Sequence, residues 1–344
     1  MFARRRKGRM SKMLCYYLSA PLARRKSAAM FAAILQCPAF FSSCTEVSLQ
    51  EGLFKDRKII IQSRTQAPAS FDLFIYNTDE AGNLDACQHI QASEEPVYAL
   101  SGAGDKRIVA LCESLSARVN WEQLRCYGNL SELTLKLEQD HPDHPLLSGE
   151  AFAADAASRQ VSLSCSSSLS AIRIRSVSCD FSGRPYAGIS LSCTRIFLLY
   201  AGAEYAPLGA GESLPLSYLN PGFLETEAIA RMDVPEMVLQ GGFGPVGKER
   251  VYPEQTLYCY PNPAQEAGLG TPVTALVLEM QADTSVCYYH IPLPGLEAGV
   301  TTVIDLSLLR LGSPDPDCPT LSSAIQVQFN RLPWEEREAY SERF

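Results

Sequence analysis

Two runs of alternating side chains near the C-terminal end constrain the fold of this chain more than any other feature. Every second residue is apolar in residues 302–310 and again in residues 324–329, namely Ile304, Leu306, Leu308, Ile325, Val327 and Phe329. A period of two is typical of a strand with one buried face. Three prolines and two aspartates separate the runs, and such residues end strands and favour tight turns. We therefore predict two paired strands, with Ile325, Val327 and Phe329 lining a core that Trp334 closes.

Short strands of this kind recur along most of the chain. Strand-like runs occur at residues 47–49, 58–62, 71–77, 97–100, 106–111, 133–137, 149–152, 161–163, 169–177, 189–193, 196–200, 257–262, 271–279 and 288–293. Only residues 114–126 have near-helical spacing, and residues 201–250 combine glycine and proline with weak periodicity. Many short strands with almost no helix predict an all-β fold of two β-sandwiches. The small residues at 153–158 mark the predicted domain boundary.

The N-terminal segment predicts export. Residues 1–43 carry nine lysines and arginines and no acidic residue, and a short apolar run lies at residues 27–35. A basic segment before a short apolar one is typical of a secretory signal peptide, and the apolar run is too short to span a bilayer comfortably. Ser42 and Ser43 precede Cys44 as in a lipoprotein box, which predicts Cys44 as the lipid-modified first residue. The alternative is an ordinary signal peptide with a chance cysteine.

Charge excludes one class of partner. Beyond residue 43 the chain has 21 basic and 38 acidic residues, a net charge of −17. Nucleic-acid binding requires a basic face, so we expect no nucleic-acid partner. With 344 residues and 46% hydrophobic content, the chain is long and apolar enough for two cores.

The cysteines do not predict a disulfide framework. Nine of the twelve lie beyond residue 44, which is an odd number, and none forms a Cys-x-x-Cys pair. Several lie within apolar alternation, so we expect most of them to be small buried side chains.

The sequence contains no recognisable catalytic, cofactor or metal site. Residues 242–248 match the glycine and lysine spacing of a phosphate-binding loop, but Glu249 replaces the required Ser or Thr and Pro253 prevents the following helix. His141 and His144 lie in a proline-rich turn, where a solvated loop is favoured over a metal site. Two interpretations are open for four tyrosines, Tyr258, Tyr260, Tyr288 and Tyr289. They could form a sugar-stacking platform, or they could pack across strands in a sheet.

The C-terminal pattern also resembles a known family. A strand ending at Arg310, the sequence Gly-Ser-Pro-Asp-Pro-Asp-Cys-Pro at residues 312–319, and an alternating strand that stops at Trp334 resemble the end of Bacteroidales fimbrillins. The resemblance is specific over residues 254–334. It implies a lipoprotein precursor with two transthyretin-like Greek-key β-sandwiches in tandem, divided here as signal peptide 1–43, N-terminal sandwich 44–156 and C-terminal sandwich 157–344.

The resemblance also implies a mode of assembly. Fimbrillins are cut after an arginine near the N-terminus and lose their first strand, so Arg57 and Arg64 are the processing candidates. The partners expected are other fimbrial subunits, joined by donor-strand exchange at the C-terminal end, and the outer membrane through a lipid on Cys44. The alternative is a surface-anchored adhesin or glycan-binding lipoprotein of the same fold, a tip or anchor component that contacts host or bacterial surface glycans or proteins.

Overall fold

The computed structural model describes residues 57–63, 70–91, 97–112, 124–155, 158–208, 214–220, 236–268 and 271–334. All of them belong to one compact unit, Phe54–Phe344. Among these residues, one short α-helix, α1 (Tyr127–Ser131), and a 3-10 turn (Leu137–Gln139) accompany the strands. The strands are β1 (Arg57–Ser63), β2 (Ser70–Asn77), β3 (Leu84–Gln91), β4 (Val97–Ser101), β5 (Lys106–Cys112), β6 (Leu135–Lys136), β7 (Leu147–Ala153), β8 (Ser158–Leu163), β9 (Ser166–Ser167), β10 (Ser170–Cys179), β11 (Leu191–Leu199), β12 (Ala201–Tyr205), β13 (Ser217–Leu219), β14 (Leu239–Gly241), β15 (Gln255–Cys259), β16 (Ala275–Ala282), β17 (Ser285–Pro292), β18 (Val300–Leu308) and β19 (Ile325–Pro333).

Within the described residues these strands form five sheets, each named here by one strand. Their orders are β4-β1-β8 (the β1 sheet), β3-β2-β5-β7-β9 (the β2 sheet), β13-β12-β6 (the β12 sheet), β15-β10-β18-β19 (the β10 sheet) and β14-β11-β16-β17 (the β11 sheet). Neighbouring strands are antiparallel except in the pairs β1–β8 and β10–β18, which are parallel. The predicted all-β fold is confirmed.

The β1 and β2 sheets enclose the first core. Alternate residues of β2 and β5 face the β1 sheet, and Ala99, Val161 and Leu163 of β4 and β8 meet them. The β2 and β5 side chains in this core are Phe71, Leu73, Ile75, Ile108, Ala110 and Cys112. Because successive strand side chains point to opposite faces, the intervening residues are available for a second contact.

The second face of the β2 sheet is buried as well. Phe74 and Tyr76 belong there to a larger core cluster that includes Leu130 of α1 and Leu137 of the 3-10 turn, and the Tyr76 hydroxyl donates to the Leu124 carbonyl at 3.0 Å. Burial on both faces explains why β2 reads as an almost continuous apolar run rather than as an alternating one.

The β10 and β11 sheets form the C-terminal sandwich. Ile172, Ile174 and Ile304 from the first sheet share one core with Ile196 and Leu198 from the second. The opposite face of the β11 sheet buries a smaller cluster, Phe197, Leu199, Ala275, Val277 and Tyr288. The alternation in β18 places Ile304, Leu306 and Leu308 in the core as predicted, and β18 pairs with β19 from Val300↔Pro333 to Leu308↔Ile325.

One correction concerns residues 189–200, for which the sequence predicts two strands. The structure has the single strand β11, with a register shift between Cys193 and Arg195 against β16. The bulge inserts Thr194, whose Oγ1 donates to the Glu279 side chain at 2.7 Å. An inserted residue breaks the period of two, which makes one bulged strand look like two short ones.

A second correction concerns residues 201–250, which contain the strands β12, β13 and β14. Strand pairing with the N-terminal sheets also continues past the predicted boundary, because β8 pairs with β1 and β9 with β7. The division into domains at residues 156 and 157 stays a prediction.

Candidate functional site

The candidate site is the β1 strand and the two strands beside it. β1 lies between β4, which it meets antiparallel from Arg57↔Ser101 to Ile61↔Val97, and β8, which it meets parallel from Lys58↔Ser158 to Ser63↔Leu163. In the described sheets β4 and β8 have no other hydrogen-bonded strand neighbour. β1 therefore holds this sheet together alone.

Behind this sheet lies the first core. Ala99 and Ser101 on β4, and Val161 and Leu163 on β8, are buried. The alternate β4 residues Tyr98 and Leu100 are 49% and 61% exposed, so they lie on the outer face. Removal of β1 would leave backbone donors and acceptors unpaired along both neighbours and an apolar slot between them. Such an edge is a template for another strand.

The predicted processing residues flank β1 unequally. Arg57 is the first residue of the strand and pairs with Ser101. Arg64 directly follows the last residue, Ser63, and lies outside the described residues, as does the predicted lipid site Cys44. A cut after Arg57 would leave Lys58–Ser63 of the chain attached to the domain, whereas a cut after Arg64 would separate the whole strand from it.

The C-terminal edge differs in part from its prediction. β19 is an edge strand that pairs only with β18 among the described strands. Ile325 is buried, but Val327 is half-buried and Phe329 is 36% exposed, so the prediction that Phe329 lines the core is wrong. An edge strand can leave the end of its apolar face uncovered, which the alternation alone does not reveal. Trp334 does close the sandwich, since its amide donates to the Gly299 carbonyl at 2.8 Å and its ring lies 5.7 Å from that of Tyr258.

The possible sugar platform is also wrong. Tyr258, Tyr260, Tyr288 and Tyr289 are all buried, at no more than 9% exposure, so none offers a face for stacking. Tyr289 donates to the Arg310 carbonyl at 2.6 Å, and Tyr260 donates to the buried Asp140 carboxylate at 3.1 Å. The alternative reading, packing within the sheets, is confirmed.

The glycine-rich residues 242–248 run beside β11 and do not form a phosphate-binding loop. Phe243 and Cys193 exchange two backbone hydrogen bonds, and the Val246 amide donates to Leu191. A Cβ at Gly242 would lie 1.9 Å from the Cys193 carbonyl oxygen, so the close approach of the two backbones requires glycine there. The first glycine of the apparent phosphate motif therefore has a structural cause, whereas a Cβ at the second, Gly247, would meet nothing within 4 Å.

Among the described residues, the histidines and acidic residues do not form a recognisable metal site. In the part of the chain that the structure describes, no group of three or more His, Cys, Asp or Glu side chains could hold a metal ion. His141 and Asp143 are exposed, as expected for a solvated loop. The Asp315 carboxylate accepts from the Asp317 amide at 2.9 Å, which is the turn role predicted for these residues.

No helix in the described ranges is long and apolar enough to cross a membrane.

Most of the described cysteines are buried side chains, as the sequence predicts. Five of them are buried: Cys112, Cys179, Cys193, Cys259 and Cys287. Burial raises the pKa of Cys193 and of Cys259 to about 12 each. These thiols therefore act as small core side chains at neutral pH.

Two ionic clusters could not be predicted from the sequence. Arg175, in a register shift of β10, donates through Nε to Asp305 Oδ1 at 3.0 Å, and the Ser176 hydroxyl donates to the same oxygen at 2.6 Å. A second cluster surrounds the buried amine of Lys106. In each case a basic residue at a strand position was the available signal, but its partner is distant in sequence.

Comparison with known proteins identifies solved structures of similar architecture. No protein-family model and no curated protein matches the chain. Solved structures do match over nearly their whole lengths. Candidate cell adhesion proteins from Parabacteroides distasonis and Bacteroides eggerthii are similar at TM-scores of 0.57 each, with 12% and 16% identity, 82% and 81% of this chain covered, and 100% and 96% of theirs. A fimbrilin from Porphyromonas gingivalis is similar at a TM-score of 0.56 and 10% identity, over 81% of this chain and 97% of its own.

At these identities the likeness establishes a shared fold. The fold that the fimbrillin resemblance implies is therefore confirmed, and the three similar structures are of adhesion or fimbrial proteins, none of an enzyme.

Proposed function

We propose that this chain is a structural subunit of a cell-surface fimbria, exported as a lipoprotein and assembled by donor-strand exchange. One observation carries the proposal: the strand that alone joins two others has one candidate cleavage point after its first residue, Arg57, and the other after Arg64, which directly follows the strand. The fold shared with a fimbrilin supports the same function. The outer membrane and the fimbrial surface are the proposed location, and other fimbrial subunits are the proposed partners.

The geometry favours Arg64 over Arg57 as the cleavage point. The peptide bond after Arg57 lies within the β1 ladder, and a strand in a ladder does not fit a protease active site without local opening. A cut there would also keep Lys58 and its following residues in place, with no slot for a partner. A cut after Arg64 removes β1 whole, and a strand from the next subunit then has to run antiparallel to β4 and parallel to β8 to replace it.

The test uses two matched arginine variants in the native cell. We expect surface protein from wild type and from Arg57→Ala to begin at Thr65 and to form polymers. Arg64→Ala should keep β1 and remain monomeric, because its own strand continues to fill the slot. N-terminal mass analysis and electron microscopy of surface material provide the readout. Normal polymers from Arg64→Ala would contradict the proposed exchange.

Lipidation has a separate test. If Cys44 carries lipid, Cys44→Ala should release the protein from membranes, because a multiply acylated cysteine binds a bilayer far more strongly than one acyl chain does. Fractionation of membranes and supernatant provides the readout, and Cys37→Ala is the matched control that should stay membrane-bound. Membrane association that persists in Cys44→Ala would remove the lipoprotein part of the proposal.

The alternative is a tip or anchor adhesin or a glycan-binding lipoprotein, and the tyrosines no longer support it. The four tyrosines that could have stacked on sugars are core residues. A protein that keeps Cys44 at its N-terminus on the cell surface and never forms polymers would favour this alternative.

A further inference from the structure

We propose that Lys106 and Asn77 form a spontaneous intramolecular isopeptide bond, with Asp85 carrying the protons. The cross-link would tie β2 to β5 covalently. It depends only on the local geometry of the β2 sheet and not on the proposed fimbrial function.

The three side chains come from three adjacent strands. Asn77 ends β2 and Lys106 begins β5, and the two are direct cross-strand partners. Asp85 belongs to β3, on the other side of β2, at a register shift between the partners of Ile75 and Tyr76. A bulge re-aims the side chain at that position, which accounts for an aspartate of an edge strand reaching across to β5.

The lysine amine is buried and has two polar partners. The Lys106 side chain is 1% exposed, although lysine is rarely buried to this degree. Its Nζ donates to Asn77 Oδ1 and lies 3.0 Å from Asp85 Oδ2. Since an amide C=O bond is about 1.23 Å long, contact with Oδ1 also brings Nζ close to the electrophilic Asn77 Cγ.

The surroundings favour reaction over exchange with water. Ile75 and Ile108, each two positions from a reacting residue on the same face of its strand, are fully buried. The Gly102 amide donates to Asp85 Oδ2 at 2.7 Å and so orients the carboxylate toward the amine. A desolvated lysine held against a carbonyl carbon, beside a carboxylate, has the parts needed for nucleophilic attack with acid–base assistance.

The reaction balances without an outside reagent. Asp85 accepts a proton from the Lys106 ammonium, which frees the nitrogen lone pair to attack Asn77 Cγ. The Nζ–Cγ bond forms and the Cγ–Nδ2 bond breaks, while a further Nζ proton passes to Nδ2 through the Asp85 carboxyl group. Ammonia leaves, and no oxidation or reduction takes place.

Peptide mapping of the purified full-length chain provides the test. Trypsin would give a single peptide with both residues, so a glutamate-specific protease is used, which cuts after Glu80 and Glu94 between them. We expect a branched peptide, lighter than its two linear parts by one ammonia, with fragment ions that join Lys106 to Asn77. A folded wild-type protein that yields only the linear peptides overturns the proposal.

Three variants refine the result. Lys106→Met should lose the branched peptide, whereas Lys136→Met should keep it, because Lys136 is 56% exposed and lies beside a carboxylate, Glu204, without an amide. Asp85→Asn should slow cross-linking by about 100-fold or more, the usual size of an acid–base contribution. A branch that joins Lys106 to Asp85 with loss of water would overturn the assignment of Asn77 as the acceptor. The wild-type digest decides the proposal even if a variant fails to fold.

Discussion

At the scale of single residues, burial determines what the cysteine thiols can do. A thiol reacts as its thiolate, so the raised pKa of buried Cys193 and Cys259 leaves almost none of the reactive form at neutral pH. Cys318 is exposed, so a reagent in solution can reach its sulfur. The apolar neighbours of most cysteines made their burial predictable from the sequence.

We therefore expect iodoacetamide at pH 8 to label Cys318 in the folded protein while Cys193 and Cys259 remain unlabelled. In urea all three should react at similar rates, because unfolding removes the burial that protects the two core thiols. Mass spectrometry of timed digests provides the measurement. Equal labelling of Cys193 and Cys318 in the folded state would contradict the buried position of β11.

At the scale of strands, the parallel pair β10–β18 is held by an ion pair as well as by its ladder. Arg175 is 46% exposed, but the Asp305 side chain is only 11% exposed and also accepts from Ser176. The hydrogen bond from the Arg175 guanidinium, chiefly, holds the pKa of Asp305 below its ordinary value. A lowered folded-state pKa means that the carboxylate stabilises the fold above its unfolded-state pKa of about 3.9 and loses this contribution as the pH falls through the lower value.

Asp305→Asn should accordingly lower the free energy of unfolding by about 1–3 kcal/mol at pH 7, the usual size of a charged hydrogen bond. It should also make the free energy of unfolding depend less on pH in acid. The wild-type midpoint in urea should fall below about pH 4 more steeply than that of the variant. Arg175→Met should reduce the same pH dependence, whereas Asp143→Asn, in an exposed loop, should behave like wild type. A variant with the wild-type slope in acid would show that the pair contributes nothing.

Strands with an apolar run or a regular buried face could be predicted from the sequence, whereas bulges and an edge strand with little buried surface could not. β18 alternates from Ile304 to Leu308 because one face of it packs in the sandwich. β3 was missed, because as an edge strand it buries little more than Ile90 and so carries no alternation. Which strands pair could not be predicted from the sequence either. β10 and β18 pair in parallel although their residues are more than a hundred positions apart, and no local sequence pattern indicates this pairing.

At the scale of the whole molecule, the first and last described strands are held differently. β1 has a strand on both sides, so its loss leaves two open ladders. β19 has one partner, and beyond Ile325 it contributes little to the core. Under the proposed exchange, a strand from the next subunit would restore two ladders at the β1 position, whereas β19 forms one ladder, with β18.

The last prediction separates the fold from assembly at the C-terminal end. Deletion of residues 335–344 should leave the melting temperature nearly unchanged, because Trp334 and every described contact of the sandwich remain. Truncation before Ala324 should unfold the domain, since it removes the whole β18–β19 ladder, Ile325 and Trp334, and one large core side chain alone contributes about 2–5 kcal/mol. If the C-terminal end joins subunits, the tailless protein should be a folded monomer that polymerises poorly, as measured by light scattering and electron microscopy after cleavage at Arg64. A tailless protein that assembles normally but no longer adheres to host or bacterial surfaces would instead favour the tip adhesin.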